Sequence, residues 1–143
     1  MITSDFAVPL FILRLGLGAF VLLFGVDKLV APDVAATIYA DFYGQAVSTV
    51  LIYAAGVLEV VLGAVVLLGV WKTVSYGLAL ILHAVSTLVT YQELLAPFGA
   101  NHMFLAALPV LTAFVTLFLL RRYDTRWSLG TIVPEPARCG GRS

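Results

Sequence analysis

Four long, almost uncharged apolar stretches constrain this chain of 143 residues more than any other feature of its sequence. Each is close to the ~20 apolar residues that a helix needs to cross the ~30 Å hydrocarbon core of a bilayer. None shows the apolar–polar alternation of a membrane barrel strand, so the stretches predict helices. The predicted spans are Val8 to Val30, Val47 to Val70, Thr73 to Tyr91 and His102 to Leu120.

The composition excludes several classes of protein. Hydrophobic residues make up 62% of the chain and charged residues only 11%, against roughly 25% charged residues in an ordinary soluble domain. A soluble domain of this size could not bury so much apolar surface, and a formal net charge of zero implies no attraction to nucleic acid. We therefore predict an all-α fold, a transmembrane four-helix antiparallel bundle whose main partner is the lipid bilayer.

The connection between the first two spans carries a further helix signal. Pro32 and Asp33 suit the start of a helix, and Val34, Ile38 and Phe42 then recur at helical spacing. The segment is too short to cross the membrane. It predicts a short interfacial helix between helices 1 and 2.

The distribution of basic residues predicts the orientation. Lys72 lies between the second and third spans, and Arg121, Arg122 and Arg126 follow the fourth. Because Lys and Arg accumulate on the cytoplasmic side, we expect both termini in the cytoplasm and the protein in the inner membrane of a prokaryote. Residues 1–122 form the predicted membrane domain, and residues 123–143, with the single cysteine Cys139, a mobile cytoplasmic tail.

Three ionisable residues lie inside the apolar spans: Arg14, Glu59 and His83. A charge at mid-membrane costs roughly 2.5–3.5 kcal/mol on insertion scales, so such residues face inward and find partners. Estimated depths predict an Arg14–Glu59 ion pair with His83 nearby. The pair is either a structural bridge between helices or a buried site for a proton or ligand, and His83 is either a hydrogen-bonded core residue or a donor to a quinone.

Two further sets of residues accompany this buried site. The first is expected to form an outer polar mouth, unless its members are simply solvated at the interface: Asp27, Lys28, Glu93, Asn101 and His102. The second set consists of glycines that let two helices pack closely: Gly18, Gly25, Gly56 and Gly63.

Several chemistries find no support in the sequence. His83 and His102 lie at different depths, which disfavours their joint ligation of a haem. We predict no metal site, because no ligand-spacing signature is present, and no disulfide exchange, because Cys139 has no partner. No nucleophile–base pair or nucleotide-binding motif is present either, so a self-contained catalyst is not expected.

The chain order of these motifs resembles the DoxX family of small four-helix membrane proteins. The motifs are Arg14-x-x-x-Gly18, Phe24-Gly25-x-x-Lys28, Gly56-x-x-Glu59-x-x-x-Gly63 and Leu67-Leu68-Gly69, and the resemblance covers about residues 8–121. It implies a four-helix bundle and matches the polar positions Arg14, Lys28 and Glu59. The name-giving members are subunits of a terminal quinol oxidase or of thiosulfate:quinone oxidoreductase.

The resemblance favours a small membrane subunit or accessory protein of an oxidoreductase system. Such a subunit would anchor a redox partner, or form a homo-oligomer, and help to form a quinone or proton site. Arg14 and Glu59 would organise that site, His83 would donate a hydrogen bond or proton, and Lys28 and His102 would shape its opening. No cofactor is assigned beyond a possible quinone. The alternatives are a transporter or channel for a small solute or protons, and a non-catalytic scaffold or assembly factor.

Overall fold

The computed structural model describes residues 6–131, and they fold as the predicted helical bundle with a short helix between its first two long helices. No β-strand occurs in this range. The helices are α1 (Ala7–Val30), α2 (Pro32–Tyr43), α3 (Thr49–Leu68), α4 (Lys72–Val89), α5 (Tyr91–Leu95) and α6 (Ala107–Leu119), with 3₁₀ helices at Gly99–Ala106 and Leu129–Thr131.

Four segments are long and apolar enough to cross a membrane: α1, α3, α4 and the continuous segment Gly99–Leu119. The last of these differs from the prediction in its first two turns, which are 3₁₀ rather than α-helical. Their outward faces are apolar; Ile12, Leu23 and Leu58 are each more than 60% exposed in the isolated chain. Such faces are stable only in contact with lipid, so this is an integral membrane protein.

Glycine and proline set the ends of the helices. Pro32 occupies the first turn of α2, where its missing N–H costs no hydrogen bond. Gly69 ends α3 in the left-handed region, with φ +64°, and its N–H bonds back to the carbonyl of Val66. The tight turn from Gly69 to Lys72 therefore leads directly from α3 into α4.

Helices α1 and α3 form the closest packing in the bundle, and glycines make it possible. A Cβ added at Gly25 would lie 2.8 Å from the carbonyl oxygen of Gly56, and one added at Gly63 would lie 2.5 Å from the backbone nitrogen of Leu22. A Cβ added at Gly18 would meet the backbone of Leu67 at 2.9 Å. The two helices therefore run antiparallel with their backbones nearly in contact.

An apolar core fills the middle of the bundle. Leu17 and Val21 of α1 pack there with Val66, Ala79 and Phe114, one residue from each of the other three spanning segments. This layer separates two polar regions at opposite ends. The basic end is the end of the bundle that holds Lys72, Arg121, Arg122 and Arg126, and the cavity end is the opposite one.

Candidate functional site

The basic end contains a fully buried ion pair between α1 and the segment that follows α6. Arg14 and Asp124 are both 0% exposed. The Nη1 atom of Arg14 donates to both carboxylate oxygens of Asp124 at 3.0 Å, and Nη2 donates to the carbonyls of Arg126 and Trp127. Only Nε of this guanidinium lacks a partner in the part of the chain that the structure describes. The arginine therefore holds residues 124–127 against the start of the bundle.

Other hydrogen bonds reinforce this contact. The hydroxyl of Tyr76 donates to Asp124 at 2.5 Å, and the ammonium of Lys72 donates to the carbonyl of Asp124. The hydroxyl of Ser128 donates to the carbonyl of Gly69 at 2.9 Å. The segment after α6 is thus fixed to α4 and to the α3–α4 turn as well as to α1.

The predicted Arg14–Glu59 ion pair is wrong, and the register of α1 against α3 explains why. Because Gly25 faces Gly56 and Gly18 faces Leu67, Arg14 lies opposite Gly69. A Cβ added at Gly69 would lie only 2.6 Å from Nη1 of Arg14. Glu59 precedes Gly69 by ten residues, or about 15 Å along the helix, which is too far for the guanidinium to reach.

The structure also differs from the predicted division of the chain after residue 122. Asp124 and Ser128 are buried, at 0% and 7% exposure, so the segment 124–128 is fixed to the packed bundle. Asp124 is the functional residue that the sequence analysis missed. It is the only acidic residue between Leu120 and Thr131. This isolated carboxylate was the feature of the sequence that could have indicated a partner for a buried cation. The remainder of the predicted tail, with Cys139, lies outside the described residues.

Glu59 pairs with Lys28 at the cavity end. Nζ of Lys28 lies 2.8 Å from Oε2 of Glu59, and the two side chains are 15% and 11% exposed. Arg14 and Lys28 are separated by about 21 Å along α1. The residues predicted to form one buried site therefore divide into two ion pairs at opposite ends of the bundle.

A cavity of about 360 Å³ opens beside the Lys28–Glu59 pair. Its walls come from α1, α3, α4 and the segment Gly99–Leu119, and α2 covers it at the membrane boundary. Most of its lining is apolar or aromatic. The polar or ionisable residues that line it are Asp27, Lys28, Tyr39, Tyr43, Glu59, His83, Ser86, Thr87 and Thr90.

His83 lies in the cavity wall at the middle of α4 and is 8% exposed. Its Nε2 is 3.1 Å from the carbonyl oxygen of Ala107. A carbonyl can only accept, so Nε2 carries the hydrogen of this bond. Nδ1, the other ring nitrogen, has no hydrogen-bond partner among the residues described. The imidazole packs against Phe20 and Phe114, whose ring centroids each lie 5.4 Å from its own and 6.3 Å from one another.

Helix α2 forms the cover of the cavity with Ala35, Ile38, Tyr39 and Tyr43. Burial raises the pKa of Tyr43 above its usual value, and the nearby Tyr39 and Glu59 raise it further. The phenol of Tyr43 is therefore uncharged at neutral pH and can donate a hydrogen bond. The sequence predicted α2 as an interfacial helix, but not its place over a cavity.

The remaining residues of the predicted outer mouth lie elsewhere at the cavity end. Asn101 and His102 do not line the cavity, and each bonds to a nearby backbone carbonyl, of Ala96 and Gly99 respectively. Glu93 also lies outside the lining, and its Oε2 is buried without a partner in residues 6–131. Within the same range, no three His, Cys, Asp or Glu side chains lie together as a metal site would require.

A scan against protein-family models matches residues 9–92 to the DoxX family. The chain belongs to the DoxX family. The match covers α1 to α4, and so includes both residues of the Lys28–Glu59 pair, His83 and Arg14. Asp124 lies beyond the matched part of this DoxX protein. Searches of curated proteins and of solved structures found no match.

Proposed function

We propose that this DoxX protein is a membrane subunit or accessory protein of an oxidoreductase system and binds a quinone ring in its cavity. The observation that carries the proposal is the lining of the cavity, which combines aromatic walls with the Lys28–Glu59 pair and His83. Its volume of about 360 Å³ falls within the range of small-molecule sites, roughly 300–1,000 Å³.

The aromatic walls suit a planar ring. Phe20 and Phe24 lie 4.7 Å apart between ring centroids on the α1 side of the cavity. Phe104, from the segment Gly99–Leu119, contributes another ring to the lining. Aromatic side chains stack on planar ligands in offset or edge-to-face geometry and exclude water from them. A quinone ring would be held between these walls, with its apolar tail towards lipid.

The polar groups suit the oxygens of a quinone. Nδ1 of His83 accepts a hydrogen bond from a ring hydroxyl in the neutral form of the imidazole, and donates one to a ring carbonyl when the imidazole is protonated. Lys28 fixes the Glu59 carboxylate at the side of the cavity, where it can accept a hydrogen bond from a ring hydroxyl. A bound quinone would supply the electron-transfer chemistry, and we assign the electron donor to a protein partner.

A transporter or channel is a weaker alternative. The apolar layer of Val21, Val66, Ala79 and Phe114 lies between the cavity and the Arg14–Asp124 pair. Within residues 6–131 it interrupts any row of polar side chains across the bundle. A scaffold without a ligand is a further alternative, distinguished by experiment. We also propose that the basic end faces the cytoplasm of a prokaryotic inner membrane, because its cations follow the positive-inside rule.

Extraction of bound quinone tests the proposal. The protein is purified in mild detergent, and quinone is quantified in the extract together with any copurifying redox protein. His83→Gln keeps a donor for the carbonyl of Ala107 but removes the imidazole, and should lower quinone occupancy at least ten-fold. His102→Ala is the matched control, because His102 is exposed and does not line the cavity; it should leave occupancy unchanged.

Two results would contradict the proposal. One is a wild-type protein that contains no quinone and binds no added short-chain quinone or quinol. The other is equal occupancy in the His83→Gln and His102→Ala variants. A proton or solute flux in liposomes that Glu59→Gln abolishes, without any quinone binding, would instead support transport.

A further inference from the structure

The basic end presents two strained tryptophans that the proposed quinone site does not use. Trp71 and Trp127 have φ values of 44° and 43°, in the left-handed region that bulky residues rarely adopt. They are the only non-glycine residues with positive φ in the described range. Glycine would adopt this backbone without strain. Trp127 packs edge-on against Phe11, with 4.8 Å between ring centroids, but most of its indole stays exposed.

The backbone of both tryptophans is held by partly buried hydrogen bonds. The carbonyl of Trp127 accepts a hydrogen bond from Arg14, and that of Trp71 accepts two from Ser75, from its backbone nitrogen and its hydroxyl. The indoles themselves are exposed, 42% for Trp71 and 71% for Trp127. The two indole rings are therefore exposed on a backbone that hydrogen bonds hold in place. Tryptophan is enriched at the membrane–water interface, at the level of the lipid headgroups.

Exposed cations accompany the indoles. The guanidinium of Arg126 lies over the ring of Trp127, 5.0 Å from its centroid, and Arg122 is exposed. Neither forms an ion pair with another described residue. Asp124 is the only carboxylate in the described parts of this end, and Arg14 and Tyr76 already occupy it. The positive charge of Arg122 and Arg126 is therefore not compensated by a neighbouring acid.

We infer that the basic end binds an anionic phospholipid, with Arg122 and Arg126 on the headgroup phosphate and Trp127 and Trp71 at the headgroup–acyl boundary. Arginine suits this ligand because its planar guanidinium contacts phosphate oxygens in pairs. The Arg126–Trp127 stack orients one guanidinium before the lipid arrives. The site is independent of the quinone proposal and of which side of the membrane this end faces.

Lipid binding by purified protein tests the inference. Phosphatidylglycerol and phosphatidylcholine are titrated separately in mixed micelles, and bound lipid is counted by native mass spectrometry. We expect phosphatidylglycerol to bind at least ten-fold more tightly. The double variant Arg122→Gln/Arg126→Gln should weaken its binding about ten- to thirty-fold, from the usual contribution of each basic residue near an anionic surface. The charge-matched control Arg122→Lys/Arg126→Lys should lose less than the double Gln variant, because it keeps the charge but loses the paired phosphate contacts.

Trp127→Gly separates binding from folding. The substitution removes the indole and relieves the backbone strain, so we expect a several-fold loss of phosphatidylglycerol binding without a large fall in the melting temperature of the lipid-free protein. Equal binding of the two lipids by the wild type would overturn the inference, as would a preference that persists in the double Gln variant. Full competition by inorganic phosphate would assign the site to a soluble anion rather than to a lipid.

Discussion

The buried Arg14–Asp124 pair makes Asp124→Ala the most informative stability test of this structure. The substitution leaves the guanidinium of Arg14 at 0% exposure without a counter-charge and removes the acceptor of the Tyr76 hydroxyl. Removing one partner of a buried pair costs about 3–5 kcal/mol, and a free energy of unfolding is typically only 5–15 kcal/mol. We therefore expect a loss of about 4 kcal/mol.

A second variant tests the cause of that loss. In Arg14→Met/Asp124→Ala the uncompensated charge is gone, although the carbonyls of Arg126 and Trp127 lose their donor. Each lost hydrogen bond costs about 1 kcal/mol, so the double variant should be about 1–2 kcal/mol more stable than Asp124→Ala alone. Asp41→Ala is the control, because Asp41 is an exposed carboxylate and should change stability by less than about 0.5 kcal/mol.

The assay is unfolding in mixed micelles by titration with a denaturing detergent, followed by far-ultraviolet circular dichroism. A loss below about 1 kcal/mol for Asp124→Ala would refute the reasoning, because it would mean that the carboxylate does not compensate a buried charge. A double variant less stable than the single one would refute it as well, since the penalty would then lie in lost hydrogen bonds.

Two further predictions concern the helix contact and the cover of the cavity. Gly63→Ala should lower the free energy of unfolding by about 1–3 kcal/mol in the same assay, because the added Cβ would lie 2.5 Å from the backbone nitrogen of Leu22. Gly16→Ala is the control and should not destabilise the protein, because no atom lies within 4 Å of its added Cβ. Equal effects of the two substitutions would contradict the close approach of the two helices. The phenol of Tyr43 should have a pKa above the ordinary value of 10.0, and Glu59→Gln should lower this raised pKa. A spectrophotometric titration, with Tyr43→Phe as the blank, measures both values. A midpoint at or below 10 in the wild-type protein would contradict the prediction.

The sequence was sufficient for the elements that depend on local pattern. Long apolar runs predicted the four spanning segments, and Pro32 with the helical spacing of Val34 and Ile38 predicted α2. The 3₁₀ start of the segment Gly99–Leu119 was not predicted, because nothing in its hydrophobicity distinguishes a 3₁₀ turn from an α-helical one.

The pairing of charges could not be predicted from the sequence. It depends on the register of α1 against α3 and on how the segment after α6 packs back onto the bundle. Estimated depth alone placed Arg14 near Glu59, but the glycine contacts of α1 and α3 shift them apart by about 15 Å. Lys28 was assigned to the outer mouth although its long side chain reaches Glu59. Asp124 was overlooked because Pro- and Gly-rich composition beyond it indicated a tail. The cover of the cavity was not predicted, since it comes from a helix outside the spans.

The link between Arg14 and Asp124 spans 110 residues of sequence, and this has a consequence for biosynthesis. A ribosome delivers Arg14 to the bilayer long before the carboxylate that neutralises it. Throughout that interval the first helix carries a cation without its carboxylate, which emerges only after the fourth spanning segment. A nascent chain that stops short of Asp124 has a buried cation without a counter-charge. The Arg14–Asp124 contact can therefore form only after translation has passed the fourth spanning segment.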